Sequence, residues 1–169
     1  MATTAVDQTQ LRAEVETLVE KLGPGRASLI PILADVKRRF HEIDDQTMQT
    51  IADVLDIHPV EVYSVASFYA FLHGAPEGQF VIRLCGTLSC DFAGKDAVAD
   101  ALKTALGIGF DETTDDGVFT LEWASCVGMC DQGPALLVND QVHTRVTPES
   151  VRRIVADCRA AAANGRADA

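Results

Sequence analysis

Phe80-Val81-Ile82-Arg83-Leu84-Cys85-Gly86-Thr87-Leu88-Ser89-Cys90 is the stretch on which the reading of this chain turns. Four of its first five residues are apolar, three of them β-branched or aromatic, which predicts a buried strand. That strand runs straight into a cysteine, a glycine-containing loop and a second cysteine. The same setting recurs downstream, where Val118-Phe119-Thr120-Leu121-Glu122-Trp123 alternates as a half-buried strand and leads to Cys126-Val127-Gly128-Met129-Cys130. Two such loops at the same end of adjacent strands would converge four thiols on one point, with C-x4-C and C-x3-C spacings.

Working outward, a helix is expected from Gly94 to Leu106, with Ala97, Val98, Ala101, Leu102 and Ala105 on one face. Asp115-Asp116-Gly117 signals a turn before the second strand. Ala135-Leu136-Leu137-Val138 and Gln141-Val142-His143-Thr144 flank Asn139-Asp140, a two-residue hairpin loop. The last helix opens at Thr147-Pro148-Glu149-Ser150, a threonine cap with proline at the first helical position, and is expected to end near Ala161. The order β, α, β, β, β, α predicts a small mixed sheet with helices packed on it.

Upstream of Gly78 the period is helical. Leu11, Val15, Leu18, Val19 and Leu22 form one stripe, ended by Gly23-Pro24-Gly25. A second helix, Ser28 to Phe40, is expected to bury Leu29, Ile32, Leu33, Val36 and Phe40 and to turn Lys37-Arg38-Arg39 outward. Asp44 or Asp45 offers the N-cap of a third helix carrying Met48, Ile51, Ala52 and Leu55. His58-Pro59 stops it and opens a fourth, with Glu61 in the first turn and Val62, Val65, Ala66 and Tyr69 along it. The predicted organisation is α+β: a helical bundle over residues 1–77 with a disordered start, a sheet domain over 78–161, and a flexible tail over 162–169. The first ten residues and the tail are small and polar and are expected to fray.

The chain has 169 residues and a formal net charge of -11, with a pI near 4.6. Nucleic acid and anionic membranes demand the opposite field. The hydrophobic share of 47% excludes disorder over most of the chain. No apolar run is long enough to span a bilayer, and the start of the chain is acidic where a signal peptide is basic, so a soluble, cytoplasmic protein is expected. In that compartment thiols stay reduced, and the 5 cysteines read as metal ligands or redox groups before disulfides.

Four thiolates are soft donors that select zinc or iron–sulfur chemistry. Tight pairs suit a structural zinc site built from four cysteines, which would make the chain a zinc-stabilised interaction module with no redox role. The wider C-x4-C loop tilts the choice toward a [2Fe–2S] cluster. Gly86 and Gly128 would let backbone N–H groups turn toward sulfur and stabilise the reduced form. Buried structural thiols are the bland account of the same residues. Cys158 is a different case: with Val151, Ile154 and Val155 it makes a helical stripe and reads as core. The four histidines, His41, His58, His73 and His143, share no ligand spacing and read as capping or surface residues. Phe68, Tyr69 and Phe71 could stack on a cofactor or join the helical unit to the sheet. No G-x-G-x-x-G, P-loop or C-x-x-C occurs, so a nucleotide would be handled by another chain.

These residues resemble a known family. Ile30-Pro31-Ile32-Leu33, the stretch Val62 to Tyr69, the C-x4-C after the first strand, the approach Thr113 to Glu122, and the C-x3-C followed by Gly133-Pro134-Ala135 are together similar to the thioredoxin-like [2Fe–2S] subunit of NADH dehydrogenases (respiratory complex I) and of related NAD(P)-dependent hydrogenases and formate dehydrogenases. Asp131-Gln132-Gly133-Pro134 looks more like the soluble hydrogenase-type relatives. The resemblance implies a helical N-terminal bundle followed by a thioredoxin-like domain, with Cys85, Cys90, Cys126 and Cys130 as cluster ligands. It implies no catalytic residue in this chain. It also implies docking on a flavoprotein subunit that carries FMN, the NAD(P)(H) site and a [4Fe–4S] cluster, alongside further iron–sulfur or catalytic subunits. Inside so acidic a chain the cluster is expected to have a low potential, softened only partly by Arg83 and Lys95.

Overall fold

Asp7 opens the first helix, α1 (Gln8–Leu22), by accepting the Thr9 N–H at 2.9 Å on its side-chain oxygen. Gln8, Thr9 and Gln10, expected to fray, thus form an ordered first turn. The computed structural model describes residues 7–72 and 77–164, so the rest of the expected disordered start, His73 and the end of the tail lie outside the described residues. The chain divides between residues 76 and 77 into two compact units.

In the first unit, Gly23 (φ 91°) ends α1, and a 3-10 turn (Arg26–Ser28) leads into α2 (Leu29–Phe40). His41 closes α2 in the left-handed region at φ 59°. Asp44 caps α3 (Asp45–Leu55), its carboxylate accepting the Thr47 N–H at 2.7 Å. Pro59 begins α4 (Pro59–Phe68), where the Glu61 carboxylate reaches back to the His58 N–H at 3.4 Å. Leu11, Val15, Ile32, Leu33, Val36, Ile51 and Val62 are buried together in one core, each such side chain contributing roughly 1.5–3 kcal/mol.

Lys37 does not turn outward. It is 5% exposed, because it lies four residues after Leu33 and one after Val36, on the same face of α2, and its aliphatic stem can line that face. Arg38 and Arg39 do face out, Arg38 pairing with Asp35, and Arg39 with Glu14 at 2.7 Å and Asp35 at 2.8 Å. Phe68 and Phe71 are exposed, and Tyr69 lies between them, 5.1 and 5.6 Å from their ring centroids.

The second unit is a mixed five-stranded sheet beneath helices. Its strands are β1 (Phe80–Cys85), β2 (Glu112–Thr113), β3 (Phe119–Ala124), β4 (Leu136–Val138) and β5 (Gln141–His143). Their order is β2-β3-β1-β4-β5. Among the described residues only β1 and β3 run parallel, with Phe80 opposite Phe119 and Cys85 opposite Ala124; the other pairs are antiparallel. Between β1 and β2 lie α5 (Leu88–Phe92) and α6 (Lys95–Leu106), and the unit ends in α7 (Pro148–Ala163).

Phe80, Ile82 and Leu84 share one core with Phe119 and Leu121, joined by Val98 and Leu102 of α6 and Val151, Ile154 and Cys158 of α7. Asn139-Asp140 makes the expected hairpin loop, Asn139 at φ 51°. Thr147 and Ser150 form the capping box of α7, the Thr147 N–H donating to Ser150 Oγ at 2.8 Å. α7 continues past its expected end to Ala163, a run of alanines sustaining it.

Candidate metal centre

The parallel pairing of β1 with β3 decides where the cysteines go. Cys85 is the last residue of β1 and sits opposite Ala124, the last residue of β3, so the two loops leave the same end of neighbouring strands. The Gly86 N–H donates to the Ala124 carbonyl at 2.8 Å and the Cys85 N–H to the Ala135 carbonyl at 3.0 Å, pinning the first loop between the other two segments. Gly86 therefore does not aim its N–H at sulfur as expected; the register of the ladder claims it first. Gly128 does, donating to Cys126 Sγ at 3.4 Å, from φ 81°, where a side chain would be strained.

The first loop is not a plain loop. Thr87 begins α5, which carries Cys90 on its inner side. Five residues are too few to show helical periodicity, so only the threonine cap could have signalled it. Cys85 and Cys90 are 2% and 1% exposed and pack with Ala135, flanked by Val127 and Met129. A Cβ at Gly133 would stand 3.4 Å from Cys90 Sγ and 3.2 Å from Ala93, so glycine there permits the segment after Cys130 to close over the inner pair. Cys126 and Cys130 lie at the surface, their sulfurs 3.7 Å apart.

The thiols of Cys85, Cys90 and Cys130 sense their neighbours. Burial pushes Cys85 up, but hydrogen bonds from the Thr87 hydroxyl, the Thr87 and Val127 backbones and Cys90 outweigh it and leave Cys85 at about 7. Burial raises Cys90, and charge on Cys85 and Cys130 raises it further. Cys130 is raised chiefly by its hydrogen bond with Cys126 and by the charge there, with a contribution from Cys85. Two pairs of thiols within electrostatic reach suit a centre with two metal atoms. Among the described residues, no three Cys, His, Asp or Glu side chains gather closely enough to hold a single ion. Cys158 stands apart in the core, 4% exposed, its thiol pushed up to about 11 by burial and by Asp157.

The neighbouring cations are engaged. Arg83 pairs with Glu122 at 2.9 Å and Glu77 at 3.6 Å. Lys95 bonds Asp91 at 2.6 Å and Asp96 at 2.9 Å, which hold it at about 12. His41 and His58 flank helix ends, whereas His143 is half-buried within β5, where it caps nothing.

Residues 15–159 match the thioredoxin-like [2Fe–2S] ferredoxin family. The chain belongs to that family. This ferredoxin is 31% identical over 151 residues to a subunit of the NADH-quinone oxidoreductase of Rhizobium meliloti, covering 89% of this chain and 90% of that one. It is 34% identical over 144 residues to the NAD-reducing hydrogenase HoxS subunit alpha of Cupriavidus necator, covering 85% of this chain but only 24% of the relative. Its fold aligns with a crystal structure of an NAD+-reducing [NiFe]-hydrogenase at a TM-score of 0.70 and 24% identity, over 78% of this chain and 23% of the other. The ferredoxin thus spans about a quarter of that hydrogenase relative and of that solved chain. Family membership makes the cofactor a [2Fe–2S] cluster, and the donor set fits it: four soft thiols, two by two. Among the described residues no helix is long and apolar enough to cross a membrane.

Proposed function

We propose that this ferredoxin is the electron-transfer subunit of a cytoplasmic, multi-subunit NAD(P)-dependent oxidoreductase, of the hydrogenase, formate dehydrogenase, bifurcating or NADH dehydrogenase type. Cys85, Cys90, Cys126 and Cys130 ligate its cluster, which supplies a one-electron store or relay. The electrons are exchanged with a flavoprotein partner that holds FMN and the NAD(P)(H) site, and hydride transfer belongs to that partner. The observation that carries the reading is the register of Cys85 with Ala124 across the parallel β1–β3 pair, which puts both cysteine loops at one end of the sheet. The names of the relatives, subunits of NADH-quinone oxidoreductase and NAD-reducing hydrogenase, support the type of complex.

What the chain itself does is bind and shield. The buried pair Cys85 and Cys90 anchors the centre against the sheet and excludes water on that side, while the exposed Cys126 and Cys130 leave the opposite side open to a docked partner. The residues of the helix and loops supply hydrogen bonds to sulfur.

Parallel substitutions at two cysteines test the ligand set. Cys126→Ser abolishes the native visible and EPR spectrum of anaerobically purified protein, whereas Cys158→Ser leaves it unchanged. Equal loss from both overturns the assignment. A colourless protein that holds one zinc and no iron after reconstitution overturns the redox reading altogether.

A further inference from the structure

Thr87 occupies the N-cap of α5, where a threonine hydroxyl ordinarily accepts a backbone N–H from the first turn. Its side chain makes no such bond. Instead Thr87 Oγ1 lies 3.2 Å from Cys85 Sγ, at hydrogen-bonding distance for sulfur. With a free thiol either atom could donate. A thiolate bound to metal has no proton, and the hydroxyl must then be the donor.

From this geometry we propose that the Thr87 hydroxyl raises the reduction potential of the centre by donating a hydrogen bond to Cys85 Sγ. The proposal rests on Cys85 being a cluster ligand. Reduction adds negative charge that spreads onto the ligand sulfurs, so a donor at sulfur stabilises the reduced state more than the oxidised one and raises the potential. Burial makes this donor count. Cys85 is 2% exposed, so little water competes for its lone pairs, and a hydrogen bond to charge is stronger in the lower local dielectric. Ser89 approaches Cys130 in a related way, but that sulfur is at the surface, where solvent can replace a lost hydroxyl. Thr87 is a positioning residue in this scheme; it touches a ligand and not the reacting flavin of any partner.

The test is potentiometric EPR on the full chain carrying its reconstituted cluster. Thr87→Val keeps the side-chain shape and removes the donor, and Thr87→Ser keeps the donor. Thr87→Val is expected to lower the equilibrium constant for reduction by about tenfold, a negative shift of about 59 mV for a one-electron couple. Thr87→Ser stays near wild type, and Ser89→Ala shifts less than Thr87→Val. A potential unchanged in Thr87→Val, or one shifted as far in Thr87→Ser, overturns the proposal. If Thr87→Val does not hold iron, Thr87→Ala replaces it. Loss of the cluster from both makes the hydroxyl an assembly element and overturns the tuning role. Cys85→Ser separates the two levels: a native EPR spectrum in that variant refutes the ligand reading itself, whatever Thr87 does.

Discussion

Two thiols of one chain can differ because their surroundings differ, and Cys85 and Cys158 illustrate how. Both are buried, yet donors from Thr87 and Val127 draw Cys85 down to about 7 while Cys158, with apolar neighbours and Asp157, rises to about 11. Spacing alone separates them in the sequence: Cys158 shares a helical stripe with Ile154 and Val155, and Cys85 ends a strand. Lys37 is not separable in that way. A run of three cations suggests a solvated face, and only packing reveals that its first member falls on the core side of α2. The same corner of the helical unit carries a pH prediction. Burial, and then the charge of Lys37, hold His41 below the ordinary imidazole range. The unfolded chain therefore takes up its proton at higher pH than the folded one. Stability from this group is whole above pH of about 6.5 and falls as pH drops below it. His41→Asn, which suits the left-handed backbone at φ 59°, should lose less stability than wild type between pH 7.5 and pH 5.5, values chosen to sit about one unit either side of that pKa. Denaturant melts at the two pH values measure it, and an identical pH dependence in both proteins would refute it.

At the scale of elements, long or strongly patterned segments are legible in the sequence, and so are the three-residue strands β4 and β5, which their Asn139-Asp140 turn marks; short elements without such a turn are not. β1 and β3 show as bursts of β-branched and aromatic residues, and the end-to-end placement of both cysteine loops follows from their parallel pairing. The two-residue β2 and the five-residue α5 are shorter than any period that could reveal them. The entry to β1 also depends on something no pattern displays, which is how closely two backbones approach. A Cβ at Gly78 would lie 2.7 Å from the carbonyl carbon of Phe119, and the Gly78 N–H donates to Thr120 Oγ1 at 2.7 Å. Gly78→Ala must therefore push β1 from β3 or lose that bond. It should destabilise the sheet unit by about 1–3 kcal/mol, a fall in melting temperature of about 4–8 °C per kcal/mol for a domain of this size. Because the strain sits at the start of β1 and the cysteines at its end, the cluster spectrum of the folded variant should remain native. A melt unchanged from wild type would show that the strands yield without cost.

Across the whole molecule the dominant quantity is charge. The chain carries -11 before any cofactor is counted. An oxidised [2Fe–2S] centre with four thiolates adds about -2, and reduction makes that about -3. The two cations expected to soften the cost, Arg83 and Lys95, are each paired with two carboxylates, so little positive field is left over for the cluster from them. The incoming electron is then opposed mainly by a diffuse negative background, and a diffuse background is what salt screens best. Raising ionic strength from 0.01 M to 1 M shortens the screening length from about 30 Å to about 3 Å. Charges spread over the surface stop repelling the electron, while hydrogen bonds to buried Cys85 are untouched. The midpoint potential should therefore rise by on the order of tens of millivolts across that range, and by a similar amount in Thr87→Val, whose offset is local. Potentiometric titrations at several salt concentrations measure both. A potential that is flat with salt, or that falls, would mean that the cluster's immediate surroundings, and not the acidity of the chain, set its resistance to reduction.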